Sequence, residues 1–168
     1  METVVLMRMV PDVVEELEVA ADGKSLEDEF LRMIASESDE HALEEALLLK
    51  ERHGGRVTVL GLEAPELEET LYGALAKGAD RAVKLTGAPA GCDTRTAAGI
   101  FAAALQSLPG LAQPDLILTG TQAIVDLDSL LAPLVASKLK LPFAGIVTRI
   151  DLNPTARSAI VTREFPAG

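Results

Sequence analysis

The stretch PDLILTGTQAIVDLDSLLAPLVASKL, residues 114–139, decides how the rest of the chain is read. Its first part, PDLILTG, is an apolar run closed by Gly120 and predicts a buried strand. Its last part, SLLAPLVASKL, predicts a helix despite Pro133 near its start. A strand, a glycine turn and a helix start make the arrangement with which α/β proteins hold phosphates, because free N–H groups at the helix start face the anion. This turn also carries Asp126 and Asp128, and carboxylates suit ribose hydroxyls better than phosphate. Two readings stand side by side. In one, Gly120 lets the backbone turn where a Cβ would clash, Ser129 and the amides behind it receive an anion, and the two aspartates accept from a ribose. In the other, Asp128 or Ser129 only caps the helix and Asp126 is solvated.

Outward from this unit, the same strand–helix alternation repeats. TVVLMRMV (residues 3–10) is a β-branched, apolar run stopped by Pro11 and reads as one buried strand. EELEVAADGKSLE places a hairpin-like turn at Asp22-Gly23. In SESDEHALEEALLLKERHGG, Ala42, Leu43, Ala46, Leu47 and Leu49 recur at helical spacing, with Ser36 or Ser38 as cap and Gly54-Gly55 as stop. RVTVLGL and RAVKLTG read as strands. APELEETLYGALAKG, with Pro65 in its first turn and Gly78 at its stop, and DTRTAAGIFAAALQSL, opened by Asp93 or Thr94, read as helices. FAGIVTRIDL and SAIVTREF predict two closing strands around Asn153-Pro154. Short connections between alternating strands and helices imply right-handed crossovers and a mainly parallel sheet with helices on both faces. The expected fold is therefore a three-layer α/β sandwich in a single domain spanning residues 1–168.

The 168 residues suffice for one core, and 48% of them are hydrophobic. Aromatic residues make up only 3%, so that core must rest on Ala, Val, Leu and Ile. A formal charge of −11 opposes nucleic acid and anionic membrane surfaces. The N-terminus lacks the basic and long apolar segments of a signal peptide, and no apolar run reaches the ~18 residues of a membrane span. A soluble cytoplasmic protein is expected, with no nucleic acid partner and no membrane insertion. Cys92, the single cysteine, precedes a helix without a histidine near it in sequence and is read as a bystander. His41 and His53 have no second ligand at metal spacing, so no metal site is predicted. Neither a Gly-x-Ser-x-Gly elbow nor a Walker lysine is found, which suits a carrier or binding subunit better than an enzyme.

Four stretches in order, MRMVPD, SDEHALEEALLLKERHGGRVTVLGL, ALAKGADRAVKLTG and PDLILTGTQAIVDLD, resemble the β subunit of electron transfer flavoproteins. The resemblance covers nearly all of the chain. It implies the adenine-nucleotide-binding α/β fold (adenine-nucleotide α-hydrolase-like, shared with universal stress proteins and PP-loop enzymes). It further implies a larger, flavin-carrying α subunit as partner, dehydrogenases as redox partners, and either a structural AMP or, in the electron-bifurcating class, a second FAD as cofactor. Three places for the nucleotide are carried over from the family. The first is the end of the first strand, Leu6 and Arg8. The second is Ser36, Ser38 and Asp39 with Gly61 and Leu62. The third is Gly120, Gln122, Ala123, Asp126, Asp128, Ser129 and Ala132. The sequence departs from the family where SESD replaces Asn-Pro-x-Asp, where SLLAP replaces a Gln followed by Val or Thr and Gly, and where the Asp-x-Asp pair is displaced by one residue. The family's C-terminal arm, which embraces the α subunit, is expected to be missing after Gly168. A stand-alone regulatory domain of the universal-stress-protein kind is the alternative expectation.

Overall fold

Four parallel strands in the order β5-β4-β1-β6 form the central sheet: β1 (Glu2–Met7), β4 (Arg56–Leu62), β5 (Arg81–Leu85) and β6 (Leu116–Thr119). The computed structural model describes residues 1–27, 31–89, 91–155 and 157–165. Two short strands, β2 (Met9–Pro11) and β3 (Met33–Ala35), pair antiparallel beside it. Among the described residues four helices alternate with the strands: α1 (Glu37–His53), α2 (Leu67–Lys77), α3 (Thr94–Ser107) and α4 (Leu131–Leu139).

Continuous apolar runs such as Val4–Met7 are fully buried because both faces of the sheet are covered. On one face Val5, Met7, Val57 and Val59 pack against Leu43, Ala46 and Leu47 of α1 and Leu67, Leu71 and Ala74 of α2. On the other, Val4, Leu6 and Leu60 pack against Ala98, Phe101 and Leu105 of α3 and Leu131 and Val135 of α4. The three-layer α/β expectation holds, and the main sheet is wholly parallel. The expected helix face from Leu43 to Leu49 is the buried one.

Several boundaries differ from expectation. The single strand over residues 3–10 is two strands, because Arg8 leaves the ladder to bond an aspartate described below. Pro65 lies ahead of α2 rather than in its first turn; Glu66, with φ 56°, occupies the N-cap. Ser36 stands at the N-cap of α1, but its hydroxyl makes no capping bond. Asp93 does cap α3, accepting from the Thr96 N–H at 2.7 Å. The turn at Asp22-Gly23 forms as expected, with Asp22 accepting from the N–H groups of Lys24 and Ser25. The closing strands, β7 (Val147–Asn153) and β8 (Ser158–Arg163), start later than FAGIVTRIDL suggests and form a separate antiparallel hairpin. Residues 166–168, the PAG after it, lie outside the described residues.

Asp80, before β5, ties that strand to its neighbours. Its carboxylate accepts from Lys50 Nζ and from the Val57 N–H, both at 2.8 Å, and these two contacts, Lys50 first, hold its pKa below 3.8. The ionised form is thus favoured in the folded state. Its stabilisation is full above the unfolded value and is lost as pH falls through the lower folded value. Asp80→Asn should therefore lower stability at neutral pH by about 1 kcal/mol, a modest figure for a pair partly open to water. Urea melts at neutral pH and at about pH 3 should show that deficit fading in acid; a deficit of equal size at both would contradict this account.

Candidate functional site

The order β5-β4-β1-β6 places the topological switch point between β1 and β6, since the chain leaves β1 toward β4 and later returns to its other side. In open parallel sheets the crevice beyond the strand C-termini at such a point is where ligands bind. Here the ends of β1 and β6 meet the N-terminus of α1. A charged residue in an otherwise apolar strand run, MRMV, is expensive to bury without partners. Arg8 is 8% exposed and Asp39 is fully buried at 0%. Asp39 Oδ2 accepts from the Arg8 N–H at 2.9 Å and from Arg8 Nε at 3.3 Å. Asp39 Oδ1 accepts from the Gly120 N–H at 2.7 Å. One carboxylate thereby clamps the ends of both strands at the switch point. Burial pushes the Asp39 carboxyl above the usual range, while the Arg8 guanidinium and the two backbone N–H groups pull it down.

The loop after β6 is braced from within. Arg8 Nη1 also pairs with Asp126 Oδ2. The Ala123 N–H donates to Asp126 Oδ1 at 2.8 Å, Gln122 Nε2 donates to the Leu127 carbonyl at 3.1 Å, and Ser38 Oγ donates to the Gln122 carbonyl at 2.7 Å. Polar groups turn inward, whereas Ile124, Val125, Leu127 and Leu130 are exposed. Gly120 is required by space: a Cβ there would stand 2.7 Å from the Ser38 carbonyl carbon and closer still to Ser38 Oγ and Asp39 Oδ1.

The structure thus brings Arg8, Ser36, Ser38, Asp39, Gly120, Gln122, Ala123 and Asp126 together. It corrects several expected roles. Asp126 is not solvated, because both its oxygens are engaged by Arg8 and Ala123. Ser129 does not cap α4; it has φ 55°, is exposed, and lies before Leu130, which holds the N-cap position. Asp128 accepts from the Leu130 N–H at 2.9 Å, one residue ahead of the helix proper. Leu6 buries its side chain among Leu60, Ala98 and Phe101, leaving only backbone for a ligand. Gly61 is missing its Cβ for the sake of Leu67, whose Cδ1 lies 2.5 Å from where that atom would stand. Leu62 packs against the α3 side of the core, and Ala132 is half-buried in the first turn of α4. The ion-paired cluster itself was missed from sequence; the one signal for it is Arg8, a lone charge inside an apolar run.

A switch-point crevice built this way is common to many nucleotide folds, and the chain as a whole is more specific. Residues 26–168 match the family described as the electron transfer flavoprotein domain. The chain belongs to the electron transfer flavoprotein family. It is 34% identical over 154 residues to the electron transfer flavoprotein subunit beta of Thermoanaerobacterium thermosaccharolyticum, covering 91% of this chain and 57% of the relative. It is likewise 34% identical over 173 residues to protein FixA of Sinorhizobium fredii, covering 100% of this chain and 60% of that one. An acryloyl-CoA reductase electron transfer subunit gamma, from Anaerotignum propionicum, is 34% identical over 143 residues, 84% of this chain and 53% of its own. The chain spans a little over half the length of these curated relatives. Their names associate the family with flavin-linked electron transfer. Among the described residues no helix is long and apolar enough to cross a membrane.

Proposed function

We propose that this chain is the β-type subunit of an electron transfer flavoprotein, a cytoplasmic carrier component without catalytic residues of its own. It pairs with a flavin-carrying α subunit, passes electrons from dehydrogenases, and holds an adenine nucleotide, AMP or a second FAD, at the switch point. The observation that carries the nucleotide part is the clamp of Asp39 on Arg8 and Gly120, which holds the ends of β1 and β6 together at the start of α1. The residues fit such a group. Gly120 permits the close approach of β6 to the start of α1, and one guanidinium nitrogen of Arg8 has no partner among the described residues. The nucleotide would be held by the backbone at Leu6–Arg8 and Gly61–Leu62, by Ser38, and by residues 120–132. Bound FAD supplies electron transfer; bound AMP is structural, and the protein's share is position and electrostatics. The acidic surface, at −11, favours redox partners with basic docking faces.

Denaturing the purified protein and analysing the released small molecules tests this directly. An adenine nucleotide in equimolar amount is expected, with FAD marking the two-flavin class and AMP the ordinary one. Protein that releases none, and that binds neither when each is added, would overturn the nucleotide assignment.

A further inference from the structure

Arg8 has five N–H donors in a rigid fork. Nε serves Asp39 and Nη1 serves Asp126, and Nη2 is the one buried side-chain nitrogen or oxygen without a partner among the described residues. A buried donor on a charged group is costly to leave unsatisfied, so its acceptor is expected to arrive with a ligand. Charge says what that acceptor is. Arg8 contributes +1, and Asp39 and Asp126 contact it with one carboxylate each, so the ionised cluster carries −1. Burial favours protonating Asp39, and even then the cluster is neutral rather than cationic. An arginine attracts a phosphate most strongly when its positive fork is not already neutralised by carboxylates. This one is already spent on two carboxylates, and a phosphate beside it would face Asp126 across the same guanidinium.

Building on the nucleotide reading above, we propose that Arg8 is a specificity-determining residue whose Nη2 donates to an uncharged acceptor on the nucleoside half of the ligand, a base ring nitrogen or a ribose oxygen, and not to its phosphate. Adenosine is common to AMP and FAD, so the contact is independent of which one is resident. Asp39 and Asp126 hold the guanidinium from two sides and leave Nη2 as its remaining donor.

Calorimetric titration of the nucleotide-free full chain with adenosine and with AMP, for the wild type and for Arg8→Lys, tests the assignment. Lysine keeps the charge and loses the planar fork. The substitution should weaken adenosine and AMP by the same factor, about ten- to a hundredfold. In the wild type, one member of a series of deaza- and deoxyadenosines, each lacking a single acceptor, should lose a similar factor, and that analogue should cost nothing further in Arg8→Lys. A loss confined to AMP would place Nη2 on the phosphate and overturn the proposal. Equal binding by wild type and variant would mean that solvent satisfies Nη2, which also overturns it. If the variant does not fold, the wild-type analogue series decides alone, and no selective loss in it counts against the contact. Wild-type protein that binds neither adenosine nor AMP would instead sink the nucleotide function itself.

Discussion

Arg8→Ala should lower the unfolding free energy by about 3–5 kcal/mol, the range for removing one partner of a buried ion pair. The reason is the carboxylate left behind. Asp39 is wholly buried, and without the guanidinium it keeps, among the described residues, the N–H groups of residue 8 and Gly120 as donors. Burial already pushes its pKa up, and losing Arg8 removes a contribution that pulls it down, so the variant's Asp39 should be raised further. The sign of the pH dependence follows from that. A carboxyl whose folded pKa lies above its unfolded one has its full relative stability in acid, and loses it as pH rises through the folded value. The deficit of Arg8→Ala relative to wild type should therefore shrink as pH is lowered from neutrality. Urea denaturation at neutral pH and in mild acid reads this. A deficit that is the same at both would mean that Asp39 is not the group bearing the cost.

The second large effect is expected at Gly120. An added methyl group at this position meets the Ser38 backbone at 2.7 Å on one side and the clamped Asp39 carboxylate on the other. Neither can yield cheaply: one is the first turn of α1, and the other accepts three hydrogen bonds. Gly120→Ala should cost about 1–3 kcal/mol or more as an overpacked site, and it should weaken the proposed nucleotide binding by pushing the end of β6 away from α1. Gly73 is the natural control, since a Cβ there meets nothing within 4 Å and it lies inside α2. Gly73→Ala should stabilise the protein by about 0.5–1 kcal/mol through helix propensity. If both substitutions proved equally mild in thermal melts, the close approach of β6 to α1 would not be a real constraint.

The layered fold was legible because each strand and helix announces itself locally. Apolar runs such as RVTVL and the helical spacing of Leu43, Ala46 and Leu47 depend only on near neighbours in sequence. The site was legible as a place, since Gly120 after an apolar run marks a turn whatever follows it. Its internal wiring was not. Arg8 and Asp126 are 118 residues apart, and nothing in either short segment names the other. The break of the first strand at Arg8 has the same origin, because its N–H is withdrawn from the ladder by an aspartate 31 residues away. Ser129 illustrates a different limit. Its residue type suits a helix cap, yet the loop's internal bonds turn its backbone to φ 55° and shift the helix start to Leu131.

The position of β1 in the middle of the sheet has a consequence for biosynthesis. Its one edge is closed by β4 and its other by β6, and Glu2 and Asp115, bonded across that second edge, are 113 residues apart. At a translation rate of about 5–20 residues per second, the nascent β1 waits roughly 6–23 seconds for the strand that covers it. For most of that interval Val4 and Leu6 lack α3, for all of it they lack α4, and the open β1 edge offers unpaired backbone to any neighbouring chain. Ribosome-bound chains should therefore engage chaperone holdases most strongly before β6 emerges, and release them soon after it does.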